Sequence, residues 1–391
     1  MIIFNKRNRK ITKILIFLLV LLFLLITKDK VYARESSTNS DDVNEISGTD
    51  FNYNDIQRVI DEVLDSGDNM NFEQYVTDLV TGNKKFSLEQ IGNDIKNAVI
   101  NEVKDNIGIL TRLISIAVIA AVFTNFSYAF QNTQVAETGF YVAYLLLFSV
   151  LTASFISAAT LASNTISAVL SFMKALVPTY FLSVAFVSSA GTSMVYYQVT
   201  LFLITFVDVL LIKIIIPMIN IYLIVSMANN LSKEDLLSKL ADLLSIVIKW
   251  ALKTLLGLVV GFNAIQGLIL PVADNIKKSA LYKIAGVIPG VGDVLGSVTE
   301  SVFGAGILLK NAIGVAGVIV IIIICALPII KLAITTLIYR VSSAAVQPIS
   351  DKRMLNCVTA SADAAALLLQ TVLVGAVLFL LTITIIAATT T

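Results

Sequence analysis

Residues 201–225 read LFLITFVDVLLIKIIIPMINIYLIV, a stretch with one acid, one base and one proline. An apolar run of this length crosses the roughly 30 Å of bilayer hydrocarbon as a helix. Pro217 in its interior removes a backbone hydrogen bond and crowds the preceding turn. Lipid holds no water to repair that loss, so such a break must lie against protein or a wet cavity. Asp208 and Lys213 carry charge at the same depth, which makes each a candidate functional residue. Asp208 ranks first, because a short carboxylate cannot snorkel far.

Working outward, Pro217 belongs to a pattern. Pro178 and Pro217 are 39 residues apart, and the spacing recurs as Pro289 and Pro328 after a shift of 111 residues. Lysines accompany the second proline of each pair: Lys213 before Pro217, and Lys331 after Pro328. The pattern predicts an internal repeat, about 170–256 on 281–367, with helices broken near the first proline and kinked at the second. Parallel and inverted symmetry both remain open, and chance register is the alternative.

Other apolar stretches predict further spans at 108–130, 140–162, 166–189, 246–271, 312–339 and 366–388. With 196–227 they make about seven passes of an all-α polytopic membrane protein. Residues of hydrophobic type make up 57% of the 391 and charged residues only 14%, and mean hydropathy is +0.86. A soluble domain carries about 25% charged residues. Basic connections at 228–253, 273–283 and 340–353 cannot all lie on one side under any seven-pass alternation, so loop charge leaves the orientation open.

The net charge of +1 is unevenly spread, with +6 over residues 1–33, −10 over 34–106 and +5 beyond. Lys6, Arg7, Arg9, Lys10 and Lys13 precede the apolar run Ile14 to Ile26, and Val31-Tyr32-Ala33 follows. That order predicts a signal peptide over 1–33, with an uncleaved anchor as the alternative. Residues 34–50 read as an acidic disordered linker. Residues 51–106 read as a small acidic helical domain outside the cytoplasm. Ile56, Val59, Ile60 and Val63, then Phe72, Tyr75, Val76 and Leu79, recur at helical spacing. Such a domain is too small for a large core and is expected to dock on the membrane body or a neighbour.

Histidine is absent, and Cys325 and Cys357 are the only cysteines. Ser-His-Asp and Cys-His catalysis and HExxH zinc sites are thereby excluded, and no cofactor or metal is expected. No basic face on a polar domain suggests nucleic acid.

Two segments stand out between or beside spans. Residues 284–314, IAGVIPGVGDVLGSVTESVFGAGILLKNAIG, are dense in glycine, with Gly286, Pro289, Gly290, Gly292 and Asp293 followed by Lys310 and Asn311. A Pro-Gly break there would free backbone groups for an ion or partner; a surface-lying amphipathic loop is the other reading. Gly290 and Gly292 are expected in conformations or contacts that a side chain would disturb. In Ser232 to Leu256, residues Asp235, Lys239, Asp242, Ser245, Lys249 and Lys253 form a polar stripe on an apolar helix. The stripe suits a cavity-lining helix or an interfacial one with snorkelling lysines. Lys174 also lies within a candidate span.

The ordered set of a signal, an acidic domain and a multi-span body, with VIPGVGDVLGSVTESVFGAGILLKNAIGVAG (287–317), PIIKL (328–332) and YRVSSAAVQPISDKR (339–353), resembles the stage III sporulation protein AE family. The resemblance covers the chain end to end. It implies a role in the mother-cell membrane around the forespore, within a transenvelope channel complex needed for forespore development. It implies as partners the other stage III A-operon membrane proteins and, indirectly, the forespore stage II sporulation protein Q; a homo-oligomer is compatible with it. It supplies no catalytic residues, and the expected function is non-enzymatic. The alternative is a stand-alone small-molecule permease of the broken-helix type. An intramembrane enzyme is a third class, disfavoured because no G-x-S-x-G or histidine motif exists.

Overall fold

The computed structural model describes residues 53–63, 71–81, 107–122, 133–187, 190–231, 234–285 and 292–389, with the isolated positions 100 and 104. Every element among them is helical. In chain order they are α1 (Asn54–Val63), α2 (Phe72–Val80), α3 (Ile107–Val122), α4 (Thr133–Val187) and α5 (Ala190–Asp208). A π-helix (Val209–Ile215) leads into α6 (Ile216–Leu231), and α7 (Ser238–Ala285), α8 (Gly292–Val346) and α9 (Lys352–Thr389) follow.

Among the described residues five segments are long and apolar enough to cross a membrane: Glu137–Ala185, Ser193–Leu231, Ser238–Ile265, Gly304–Val346 and Lys352–Ile385. The expected seven differ for a physical reason. The spans 140–162 and 166–189 are one helix, because the Ala-Ser-Asn-Thr sequence between them does not interrupt it. Thr165 Oγ donates to the Leu161 carbonyl at 2.7 Å, so its hydroxyl is satisfied within the helix. The described part of 108–130 is the 16-residue α3. At 1.5 Å per residue α4 and α8, each of 55 residues, are about 80 Å long, more than twice the hydrocarbon thickness.

The break expected at Pro178 is corrected likewise. Pro178 lies inside α4 and Pro328 inside α8, and both helices run through them. One missing hydrogen bond in a helix of this length leaves its packed neighbours in place, so the helix persists. Pro217 differs: the turns before it widen to a π-helix, and the Ile216 N–H reaches back to the Leu211 carbonyl. Pro289 and the glycines Gly286 and Gly290 lie outside the described residues. From Gly292 onward the glycine-dense segment is the first part of α8, not a loop. Shifted by 111 residues, the end of α6 and the start of α7 fall within four residues of the end of α8 and the start of α9. The likeness stops at Pro178, which is helical where a break was expected.

The core gathers around α9, which packs against α4, α6, α7, α8 and the π-helix. Its run Ala360, Ser361, Ala362, Ala364 and Ala365 is buried, and these small side chains let neighbouring backbones approach. Two glycines leave little room for a side chain at helix contacts. A Cβ on Gly317 of α8 would lie 2.6 Å from Leu176 of α4, and one on Gly375 of α9 would lie 3.3 Å from Leu211 of the π-helix.

Helices α1 and α2 pack on this body, α1 on α4 and α2 on α8. Ile56, Val59 and Ile60 form the buried face of α1, and Phe72 is fully buried against Tyr53 and Phe172. Asn71 caps α2 by accepting from the Gln74 N–H at 2.9 Å, and Gln57 of α1 accepts from the Phe72 N–H at 2.8 Å. Burial, and secondarily the Glu73 carboxylate, push the Tyr53 phenol up to about 12. Its hydroxyl therefore stays protonated at neutral pH.

Candidate functional site

Of the charged residues inside the apolar helices, Asp208 and Lys174 are joined between helices. Asp208 ends α5, just ahead of the π-helix, and its carboxylate pairs with the Lys174 ammonium of α4 at 3.4 Å. Pro178 follows Lys174 by four residues, so it supplies no N–H to the Lys174 carbonyl; Pro217 stands in the same relation to Lys213. Lys213 occupies the last turn of the π-helix and is exposed, as is Pro217. The widened turns thus lie between an ion pair and a proline, an arrangement recurrent at functional sites. Asp208 and Lys213 do not pair with each other, consistent with their spacing of five.

On α8, Lys310 is fully buried and Asn311 is partly so. Lys331 and Pro328 lie further along the same helix, both partly exposed. Gly292 and Asp293 stand in the first turn of α8.

A second polar group was not singled out from sequence as a site. Arg340 of α8 and Asp363 of α9 pair at 3.4 Å, and Asp363 lies within electrostatic reach of Lys249 on α7. Tyr222 of α6 is in reach of Asp363 and Asp242. Of the stripe on α7, Lys249 is the partly buried lysine within reach of Asp363, and its ammonium donates to Ser245 Oγ of the same helix at 2.8 Å, while Lys239, Asp242 and Lys253 are exposed. The signal for Asp363 was present, as the one acid in the apolar sequence from 352 to 389.

Uncharged bonds fasten the same helices. The Tyr144 hydroxyl donates to the Met227 carbonyl, joining α4 to α6 at 2.5 Å, and the Tyr339 hydroxyl donates to Ser154 Oγ at 2.6 Å, joining α8 to α4. Asn263 Nδ2 of α7 donates to Thr382 Oγ1 of α9 at 3.0 Å. At the short connection before α9, Asp351 accepts from the Arg353 N–H at 2.8 Å, and the Arg353 guanidinium lies 3.6 Å from the centre of the Phe140 ring. Cys325 and Cys357 are both buried free thiols. Among the described residues no three Asp, Glu or Cys side chains converge as metal ligands.

A groove of about 470 Å³ lies where α1 meets the middle of α4 and α8. Glu62, Asn164, Ser167 and Ser171 contribute polar groups, with Ile324 and Pro328 forming part of the wall. Pro328, expected as the site of a kink, also lines this wall.

Comparison with known proteins gives one consistent result. A family model described as stage III sporulation protein AE matches residues 70–390. A stage III sporulation protein AE of Bacillus subtilis (strain 168) is 26% identical over 310 residues, 79% of this chain and 78% of that protein. No solved structure matches. The matched region contains all five long apolar segments and both ion pairs between helices.

Proposed function

Because this chain belongs to the stage III sporulation protein AE family, we propose that it is a non-enzymatic, multi-pass membrane component of a sporulation-specific channel complex between mother cell and forespore. The observation that carries this reading is the family match running through every long apolar helix, so that the family character resides in the membrane body itself. Charges joined in pairs between helices suit a bundle that holds polar groups inside a bilayer. In this reading residues 34–106 face away from the cytoplasm after removal of the signal peptide. The partners are the other stage III A-operon membrane proteins and, through them, the forespore stage II sporulation protein Q.

The test is replacement of the corresponding gene in a sporulating host by this chain carrying an affinity tag. Recovery of the sibling membrane proteins with the tag, together with restored late forespore gene expression, is the expected result. Restored spores with no sibling protein recovered under crosslinking would overturn the complex. One observation favours the stand-alone permease instead: the π-helix between Asp208 and Pro217, a hinge-like irregularity inside an apolar span. Solute uptake by the purified protein alone in liposomes would select that reading.

A further inference from the structure

The groove between α1, α4 and α8 has chemistry that an apolar interface does not need. Asn164, Ser167 and Ser171 recur at helical spacing on one face of α4, and all three are exposed. They line the groove from a helix whose other exposed positions include Val142, Leu145, Leu146 and Ile156. A hydroxyl and amide face on such a helix calls for water or a polar ligand.

The opposite wall is formed by Ile324 and Pro328 of α8. Pro328 has no N–H, so the Ile324 carbonyl four residues earlier loses its usual helical donor. Glu62 on α1 contributes a carboxylate, and the described lining contains neither Lys nor Arg. The groove therefore presents side-chain oxygen acceptors from α1 and α4 and one negative charge. Hard cations are held by carboxylate, carbonyl, hydroxyl and amide oxygens of this kind. The volume exceeds that of a bare ion many times over, so the ion retains much of its water.

We propose that this groove is water-filled and concentrates a partly hydrated monovalent cation, with the Glu62 carboxylate as its charged acceptor and Asn164, Ser167 and Ser171 as its polar wall. The inference stands on the groove alone and does not require the sporulation-complex reading.

Cysteine accessibility tests it in the full chain in membranes, after Cys325→Ala and Cys357→Ala give a thiol-free background. Ser167→Cys and Ser171→Cys place a thiol on the wall. Positively and negatively charged methanethiosulfonates of matched size are then compared, each rate divided by that with a free thiol. The cationic reagent is expected to react about tenfold faster, the order one carboxylate a few ångströms away produces at intermediate effective dielectric. Glu62→Gln should bring the ratio near one, and Glu62→Asp should preserve most of it. Sodium or potassium chloride, replacing choline chloride at equal ionic strength, should slow the cationic reagent. No labelling at either position would mean a lipid-filled groove and would overturn the proposal. Equal rates, or a preference that survives Glu62→Gln, would do the same for the cation.

Discussion

Helices α7 and α9 run in the same bundle and touch each other, yet they meet their surroundings in opposite ways. α9 is the most deeply buried of the five long apolar segments and α7 the least. Leu367, Leu368, Val372, Leu378 and Phe379 of α9 are all essentially inaccessible. On α7 one narrow stripe, Ile248, Leu252, Leu255 and Val259, is buried, while Leu243, Ile246, Trp250 and Leu258 point outward. Both sequences are strongly apolar. Apolarity thus identifies a span but not its place in the bundle, because lipid accepts an exposed leucine as readily as protein does. Small residues are the better guide: α9 has the alanine-rich run that admits five neighbouring elements, and α7 has none of comparable length.

The sharpest test of the contrast is a pair of matched truncations. Leu368 of α9 is fully buried, and Leu258 of α7 is 51% exposed. Leu368→Ala leaves a cavity and should cost about 3 kcal/mol. Leu258→Ala should stay within about 0.5 kcal/mol. Thermal unfolding in detergent reads both, and equal losses would break the distinction between core and rim helices.

Overpacking probes the same core from the other side. Gly317→Val should destabilise by about 2 kcal/mol, since even its Cβ would lie 2.6 Å from a Leu176 methyl. Leu176→Ala should restore part of the loss by making room. A destabilisation that Leu176→Ala leaves unchanged would mean the two helices do not meet at this point.

What the sequence revealed, and what it withheld, follows the same line. The all-helical membrane character was legible in residues 201–225 and their counterparts, because long apolar runs have few other solutions. The merger of two expected spans into α4 was not legible, since Ser163, Asn164 and Thr165 look like a connection. They continue the helix because a threonine hydroxyl can bond back to its own turn, as Thr165 does. Pro178, Pro217 and Pro328 are alike in sequence, yet only at Pro217 are the preceding turns widened to a π-helix. The difference depends on neighbours that a local pattern does not contain. Asp208 was legible as a charge at depth, whereas its partner across the bundle required the antiparallel packing of α4 and α5.

A smaller effect sharpens how the rim helix is fastened to the core helix. Asn263 is 1% exposed and donates to the equally buried Thr382. Interhelical hydrogen bonds of this type contribute about 0.6–1.7 kcal/mol within a bilayer. Asn263→Ala and Thr382→Val should therefore each cost about 1 kcal/mol, and the double variant little more than either alone. Additive losses in that double-mutant cycle would show that the two side chains are not coupled.

The smallest effect is expected at the Arg340–Asp363 pair, and it bears on whether the α8–α9 edge lies in water or beneath another surface. The two side chains are 57% and 50% exposed at a separation of 3.4 Å. In water such a pair contributes about 0–1 kcal/mol, because solvent screens it and two long side chains must be held still. Arg340 lies six residues from the end of α8, so its long stem can place the guanidinium toward an aqueous boundary. The coupling energy from Arg340→Ala, Asp363→Ala and the double variant should then fall below about 1 kcal/mol and shrink further as salt is raised. A desolvated pair would behave differently, since removing one partner would strand the other charge and cost about 3 kcal/mol or more. A coupling of that size, insensitive to salt, would place this edge beneath lipid or a partner helix and make it part of the buried bundle after all.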